Sequence, residues 1–193
     1  MIETERSTPP AALSFEAFTR LVEEHQHPLH VFLRGFVGSS EQALDLMQDT
    51  FYAAWRAARS GIAPFVEGYE EEAVRRWLFH TAYCRAISTL RRRRLIRWES
   101  LSQFSEPETS DENPSFEEQI AESELLRAAL QRLSPQDVAC LLLRVVQGFS
   151  AAEVGQIVGA SAEVVTKRLS RARQRLRAAY LALEGQSKEH THP

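Results

Sequence analysis

Apolar residues recur at steps of three and four along most of this chain, and no segment shows the one-in-two alternation of a half-buried strand. A chain so patterned can bury its apolar side chains only as helices, so the expected fold is all-α. Phe15, Phe18, Val22, Leu29, Phe32, Leu33, Phe36 and Val37 form one stripe within the first forty residues. Gly38-Ser39-Ser40 breaks it and supplies capping hydroxyls, after which Leu44, Met47, Phe51, Trp55 and Ala58 form a second. Residues 60–69 read as a loop punctuated by Pro64 and Gly68. Glu70, Glu71 and Glu72 then place negative charge where the macrodipole of a third helix, 71 to 94, favours it.

From Ser100 to Ser115 the chain is mostly Ser, Glu, Pro, Asp and Asn, with little to bury, which predicts a flexible linker. The expected architecture is therefore two small helical domains, residues 12–98 and 120–183, joined by an acidic linker over 99–119. The second domain opens with Ile120, Leu125, Leu126, Ala129, Leu130 and Leu133. Ser134 as cap and Pro135 at the first helical position start a helix that carries Val138, Leu141, Leu142, Val145 and Val146 to Gly148. Ser150 with Glu153 makes a capping box for a short helix ending near Gly159, and Ser161 caps a long last helix to about residue 183.

The formal net charge of −3 hides a segregation, and binding responds to local charge rather than to the sum. Residues 1–98 hold 13 Lys and Arg against 12 Asp and Glu, residues 99–122 none against 8, and residues 123–193 hold 10 against 6. Arg85 to Arg97 contains six arginines and no acid, and Lys167 to Arg177 six basic residues and no acid. Two cationic patches thus flank an acidic strap.

A helix-turn-helix needs a small residue where its helices cross, a glycine in the tight turn and apolar residues on the inner face of its second helix. Gly155, Gly159 and Val165 stand at those places. Val165, Leu169, Ala172 and Leu176 share one face of the last helix, which turns Glu163, Lys167, Ser170, Arg171 and Gln174 outward. Lysine and arginine there suit phosphates or the acceptor edge of guanine, glutamine suits adenine, and Glu163 could accept from cytosine. A merely solvated amphipathic helix would carry the same charges, but the turn glycine and the charge excess together favour DNA reading.

These residues resemble a family. Leu133-Ser134-Pro135, Leu142-Leu143-Arg144, Gly148-Phe149-Ser150, Glu153-Val154-Gly155, Gly159 and Lys167 to Arg173 are similar to the fourth region of bacterial sigma factors, in the extracytoplasmic-function (ECF) group of the sigma-70 family. Leu44 to Phe51 followed by Trp55 resembles the polymerase-binding motif of the second region, and Arg76-Trp77-Leu78-Phe79 with Ala82 resembles its promoter-reading helix. The resemblance implies a dissociable subunit that binds core RNA polymerase and promoter DNA and helps open the duplex, and it allows an anti-sigma factor as a further partner. It places polymerase contacts on Leu44, Asp45, Leu46, Gln48, Asp49 and Phe51. On the downstream promoter element Phe65, Tyr69, His80 and Tyr83 are candidates for unstacked bases and Arg76, Arg85 and Arg91 for phosphates, with Cys84 beside them in the promoter-reading helix and Trp77 kept for the core. Arg144 and Thr166 join the outward residues Glu163, Lys167, Ser170, Arg171 and Gln174 on the upstream element.

Departures from the family pattern, among them Ser88 in place of an expected acid and an acidic loop with Glu67 and Glu70 to Glu72, point to a divergent promoter preference. Tyr83-Cys84 replaces an Arg-Asn pair, and a thiol pairs with base edges far less well than an amide. The basic residue of the recognition helix has moved by one place, to Lys167, about a hundred degrees around the helix. A helix-crossing alanine has become Gly155, which is sterically tolerable and is expected to cost helix stability up to about 1 kcal/mol.

Other chemistries find little support. His25, His27 and His30 near Glu23 and Glu24 have no distant Cys or His cluster to complete a coordination sphere, so no metal or other cofactor is expected and surface histidines suffice. Cys84 beside Arg85 could have a lowered pKa, but lone cysteines are usually inert. Cys84 and Cys140 are too few and too far apart for a disulfide framework, which suits a reducing compartment. No phosphate loop, Ser-His-Asp order or carboxylate pair marks an enzyme. With no membrane-spanning stretch and a polar start, the expected location is cytoplasmic. The competing expectations are a dimeric helix-turn-helix regulator acting without core polymerase, and a helical interaction protein that has lost DNA binding.

Overall fold

The computed structural model describes residues 13–66, 70–99 and 117–189, with the side chains of 94–99, 117–123 and 187–189 left out. Tyr69 and residues 100–116 of the expected linker lie outside the described residues. Among those described, seven α-helices and one π-helical stretch carry the fold, and the all-α expectation holds.

Helix α1 (Phe15–Val37) starts where Ser14 Oγ accepts the Ala17 N–H and stops at Gly38, whose φ of 77° is a left-handed conformation that glycine adopts without strain. Helix α2 (Ser40–Arg59) begins immediately afterwards, capped by Ser39. Helix α3 (Glu71–Glu99) runs past the expected end at residue 94, because nothing in the Arg-rich sequence from 91 to 97 breaks a helix. These three pack on one another through Leu29, Phe32, Leu33, Ala43, Leu46, Ala54, Ala58, Val74, Leu78, Phe79 and Ala82, all buried. The buried face of α2 holds Phe51 and Ala58, as expected, but is completed by Ala43, Leu46, Thr50, Ala54 and Ala57, and it leaves Leu44 exposed. Small residues let α2 approach closely on that side, and alanines carry little weight in an apolar pattern read from sequence.

Helix α4 (Glu117–Gln131) packs on α7 (Ala162–Glu189), which also receives α5 (Pro135–Leu141) and α6 (Ala151–Val158). Ser134 caps α5 with Pro135 in its first turn, and Ser150 and Glu153 form the reciprocal capping box of α6, both as expected. The helix expected to continue to Gly148 instead widens into a π-helical stretch, Leu142–Val146, in which Gln147 N–H reaches back to the Leu142 carbonyl at 3.0 Å. Helix α7 runs to Glu189, beyond the expected residue 183.

Gly155 has a different role from the expected one. A Cβ there would run into the Ala160 carbonyl oxygen, and the Ala160 N–H bonds back to the Gly155 carbonyl at 2.9 Å. The tight turn through the left-handed Gly159 (φ 73°) brings the chain back so closely that glycine is needed where the turn folds over, and alanine is what this backbone would not tolerate.

The two helical groups are also docked on each other, which the sequence reading of two tethered domains did not foresee. Helix α3 lies against α6, and α1 against the π-helical stretch. Phe79 and Phe149 meet edge-on with ring centroids 5.1 Å apart. Gly35 leaves room for the Leu142 side chain, whose nearest methyl would stand 3.1 Å from a Cβ at that position. Burying rings as large as Phe79 and Phe149 is worth about 1.5–3 kcal/mol each, so the seam between the units is part of the core.

Candidate functional site

Three surfaces collect the residues singled out from sequence. On α2, Leu44, Asp45, Gln48 and Asp49 are exposed and lie at helical spacing, an apolar and acidic face suited to a charged helical partner. Leu46 and Phe51 point the other way into the core, so they support that face from behind. Asp49 also stands 3.6 Å from Arg85 of α3.

The second surface, on α3, is engaged. Arg76 pairs with Glu153 of α6 at 3.7 Å. His80 Nδ1–H donates to the Ile157 carbonyl at 2.8 Å, which places the proton on Nδ1 and leaves Nε2 to accept from the Cys84 thiol at 3.7 Å. Glu153 holds its carboxyl below the usual carboxylate range, first through its hydrogen bonds with Ser150 and then through Arg76 and Arg75. One carboxylate therefore caps α6 and ties it to α3. Phe65 is fully buried against Trp77 (4.8 Å between centroids), and Tyr83 is buried beside Phe36, where burial raises its hydroxyl pKa. Cys84 is exposed, yet partial burial of its thiol raises its pKa, the opposite of what a reactive thiolate needs. Arg91 is exposed.

The third surface is the outward face of α7. Glu163, Thr166, Lys167, Ser170, Arg171 and Gln174 are all exposed, while Val165, Leu169 and Ala172 are buried beneath them, as the periodicity predicts. Cationic and amide donors at one-turn intervals match phosphates and base edges of a major groove. Arg144 is exposed and donates to the Phe149 carbonyl at 2.9 Å, which steadies the turn before α6. Arg168 and Arg175 leave this face for the buried Asp137.

Two residues that matter here were missed from sequence. Arg75 donates to the Gln147 carbonyl and lies 4.0 Å from the Phe149 ring centroid, joining residues 72 positions apart. No local pattern distinguishes it from its neighbour Arg76. His25 is buried, at 5% exposure, and is not the surface histidine that the sequence suggests. It falls four residues from both Leu21 and Leu29 on the inner face of α1, and burial, assisted by Arg75, keeps its pKa below the usual 6.5 against the opposing pull of Glu24, Glu71 and Glu72. No group of three metal-ligating side chains occurs among the described residues, and none of their helices is long and apolar enough to cross a membrane.

Residues 21–96 match the model of sigma-70 region 2, and residues 123–176 that of sigma-70 region 4. The chain is 30% identical over 168 residues to the ECF RNA polymerase sigma factor SigE of Mycolicibacterium smegmatis, covering 83% of this chain and 60% of SigE. It is 32% identical over 139 residues to the RNA polymerase sigma factor YlaC of Bacillus subtilis, covering 71% of this chain and 76% of YlaC. The fold matches a chain in the co-crystal structure of the sigma factor RpoE with the anti-sigma factor NepR from Bartonella quintana, with a TM-score of 0.67 and 25% identity over 84% of this chain and 95% of that one. A dimeric helix-turn-helix regulator would not account for the region 2 match. With both regions in order and a relative at this identity spanned over most of its length, the chain belongs to the ECF group of the sigma-70 family of bacterial RNA polymerase sigma factors.

Proposed function

We propose that this protein binds core RNA polymerase, directs it to a set of promoters and helps open them, acting in the cytoplasm and without a catalytic site of its own. Residues 12–98 hold polymerase and the melted downstream element, residues 120–183 the upstream element, and the acidic segment 99–119 connects them. Polymerase meets the exposed face of α2 at Leu44, Asp45, Gln48 and Asp49, with Leu46 and Phe51 beneath it. The upstream element lies along Lys167, Ser170, Arg171 and Gln174, flanked by Glu163, Thr166 and Arg144. The observation that carries this reading is the presence of both faces in one chain: an exposed acidic helix in the region 2 unit and an exposed basic recognition helix in the region 4 unit.

The docked arrangement adds a condition. Arg76 and His80 are occupied by Glu153 and Ile157, so these two reach the downstream element only after α6 has moved away, joining Arg85, Arg91, Cys84 and Tyr69, while the buried Phe65 and Tyr83 support that face from within the unit. Polymerase binding supplies that difference in free energy if it favours the separated units. An anti-sigma factor, as bound by RpoE in the Bartonella structure, acts in the opposite sense by competing for α2.

Reconstitution tests the proposal. The purified chain added to core polymerase should form a one-to-one complex and yield promoter-dependent transcripts from fragmented genomic DNA. No affinity for core polymerase at low ionic strength would sink it.

A further inference from the structure

Asp137 is a carboxylate enclosed by its own unit: its side chain is 6% exposed, and each oxygen takes one guanidinium. Oδ1 accepts from Arg168 Nη1 at 3.3 Å and Oδ2 from Arg175 Nη1 at 3.2 Å. Arg168 also reaches Gln136 Oε1 at 3.4 Å. Ser134 fixes the backbone beneath by accepting the Asp137 N–H at 3.2 Å. Both arginines belong to α7, three residues before and four after Arg171, so they border the outward face along one edge. Asp137, Lys167, Arg168, Arg171 and Arg175 line one groove there.

The geometry points to Asp137 as a specificity-determining residue of the upstream-element reader, an assignment that rests on α7 being the DNA-facing helix. A helix with six basic residues between Lys167 and Arg177 attracts any duplex through its phosphates, whatever the sequence. Asp137 engages two of the six and cancels one of their positive charges, although Arg175 stays 65% exposed, and this lowers sequence-independent affinity. Lys167, Arg171 and Gln174, which face outward, keep their freedom to reach base edges. Burial makes the arrangement hard to undo, because releasing the arginines would strand a desolvated carboxylate. Asp137 thus acts through α7 and touches no DNA itself.

The test uses the full chain and a random-sequence duplex, with affinity measured from about 50 to about 200 mM salt, the range over which counterion release is read. Asp137→Asn keeps the shape and removes the charge; it should tighten binding about tenfold at low salt and steepen the log–log salt slope by up to about 1.8, two phosphates at roughly 0.9 each. Arg175→Ala should leave the slope of the unaltered chain unchanged and take back about 0.9 in the Asp137→Asn background. A residue that only held the fold together would give the reverse, weaker binding with a flat or unchanged slope. An equal or shallower slope for Asp137→Asn, or an Arg175→Ala change that flattens the slope by itself, overturns the assignment. Should Asp137→Asn fail to fold by circular dichroism, the Arg175→Ala arm decides. If the unaltered chain binds no duplex at any salt, the reading of α7 falls first and the assignment with it.

Discussion

Along α7 the residues facing outward, Lys167, Ser170, Arg171 and Gln174, meet solvent, whereas on α3 Arg76 ends on Glu153, His80 on the Ile157 carbonyl and Arg85 on Asp49. Both helices carry a run of basic residues, and both are read as DNA-facing. The first set of side chains is open, and in the second Arg76 and His80 are held by α6 and Arg85 by α2. The difference teaches that charge density alone does not make a nucleic-acid surface available: the same guanidinium that could neutralise a phosphate can be answered by a carboxylate or carbonyl of the neighbouring unit. Under the proposed function it also implies an order of assembly, in which the exposed faces of α2 and α7 are engaged first and Arg76 and His80 only once α6 has moved.

That contrast can be broken at the seam. The largest effect is expected for Phe149→Ala, which removes a ring that is 1% exposed and packs on Phe79 beneath Arg75. A loss of about 3–5 kcal/mol in urea unfolding is expected. A loss below about 1 kcal/mol, the level typical of an average substitution, would mean that the units are not joined through this ring. Arg75→Ala, which deletes the cation–π contact and the hydrogen bond to Gln147, should weaken docking by about 2 kcal/mol. Small-angle scattering should then report a larger radius of gyration while the affinity of α7 for duplex DNA stays the same, and a changed affinity would show that the two helices are not independent.

A sharper version compares Arg171→Ala with Arg76→Ala. The first should flatten the salt slope of duplex binding by about 0.9, the loss of one phosphate contact; the second should leave it alone. Equal effects would erase the distinction between an open and an engaged helix. The smallest effect is a titration at His25. Because its folded pKa is depressed, the unfolded chain takes up a proton that the folded chain resists once the pH drops below 6.5. The stability due to the neutral buried imidazole is therefore complete above that pH and is lost as the pH falls through the folded value. His25→Gln should flatten the stability profile between pH 7.5 and 5.5, roughly the range in which histidine titrates. A profile unchanged by the substitution would assign the acid sensitivity elsewhere.

Local signals were legible and long-range ones were not. Ser134-Pro135 and Ser150 with Glu153 mark helix starts because capping is a matter of three or four consecutive residues. The outward face of α7 follows from periodicity for the same reason. The face of α2 is legible only in part: Phe51 and Ala58 are buried as the period predicts, but Ala43, Ala54 and Ala57, rather than the larger Leu44, complete the contact. Nothing near Arg75 announces Phe149, and Phe149 reads equally well as core of its own unit. Burial of His25 was visible in the spacing from Leu21 to Leu29, but a polar residue on an apolar face is easily given to solvent. Asp137 stands in the first turn of α5, and only the fold brings Arg168 and Arg175 onto it.

The widened turn at Leu142–Val146 has a consequence for how the molecule is wired. An extra residue wound into a helix advances everything after it by on the order of 100°. Here that advance presents Gln147 so that its side chain donates to the Pro28 carbonyl at 3.1 Å while its own carbonyl receives Arg75. Deleting one residue from this turn, with every side chain of the seam left in the sequence, would swing Gln147 and Phe149 off their targets. The grip between the halves is written in the pitch of five residues as much as in the chemistry of the groups that meet.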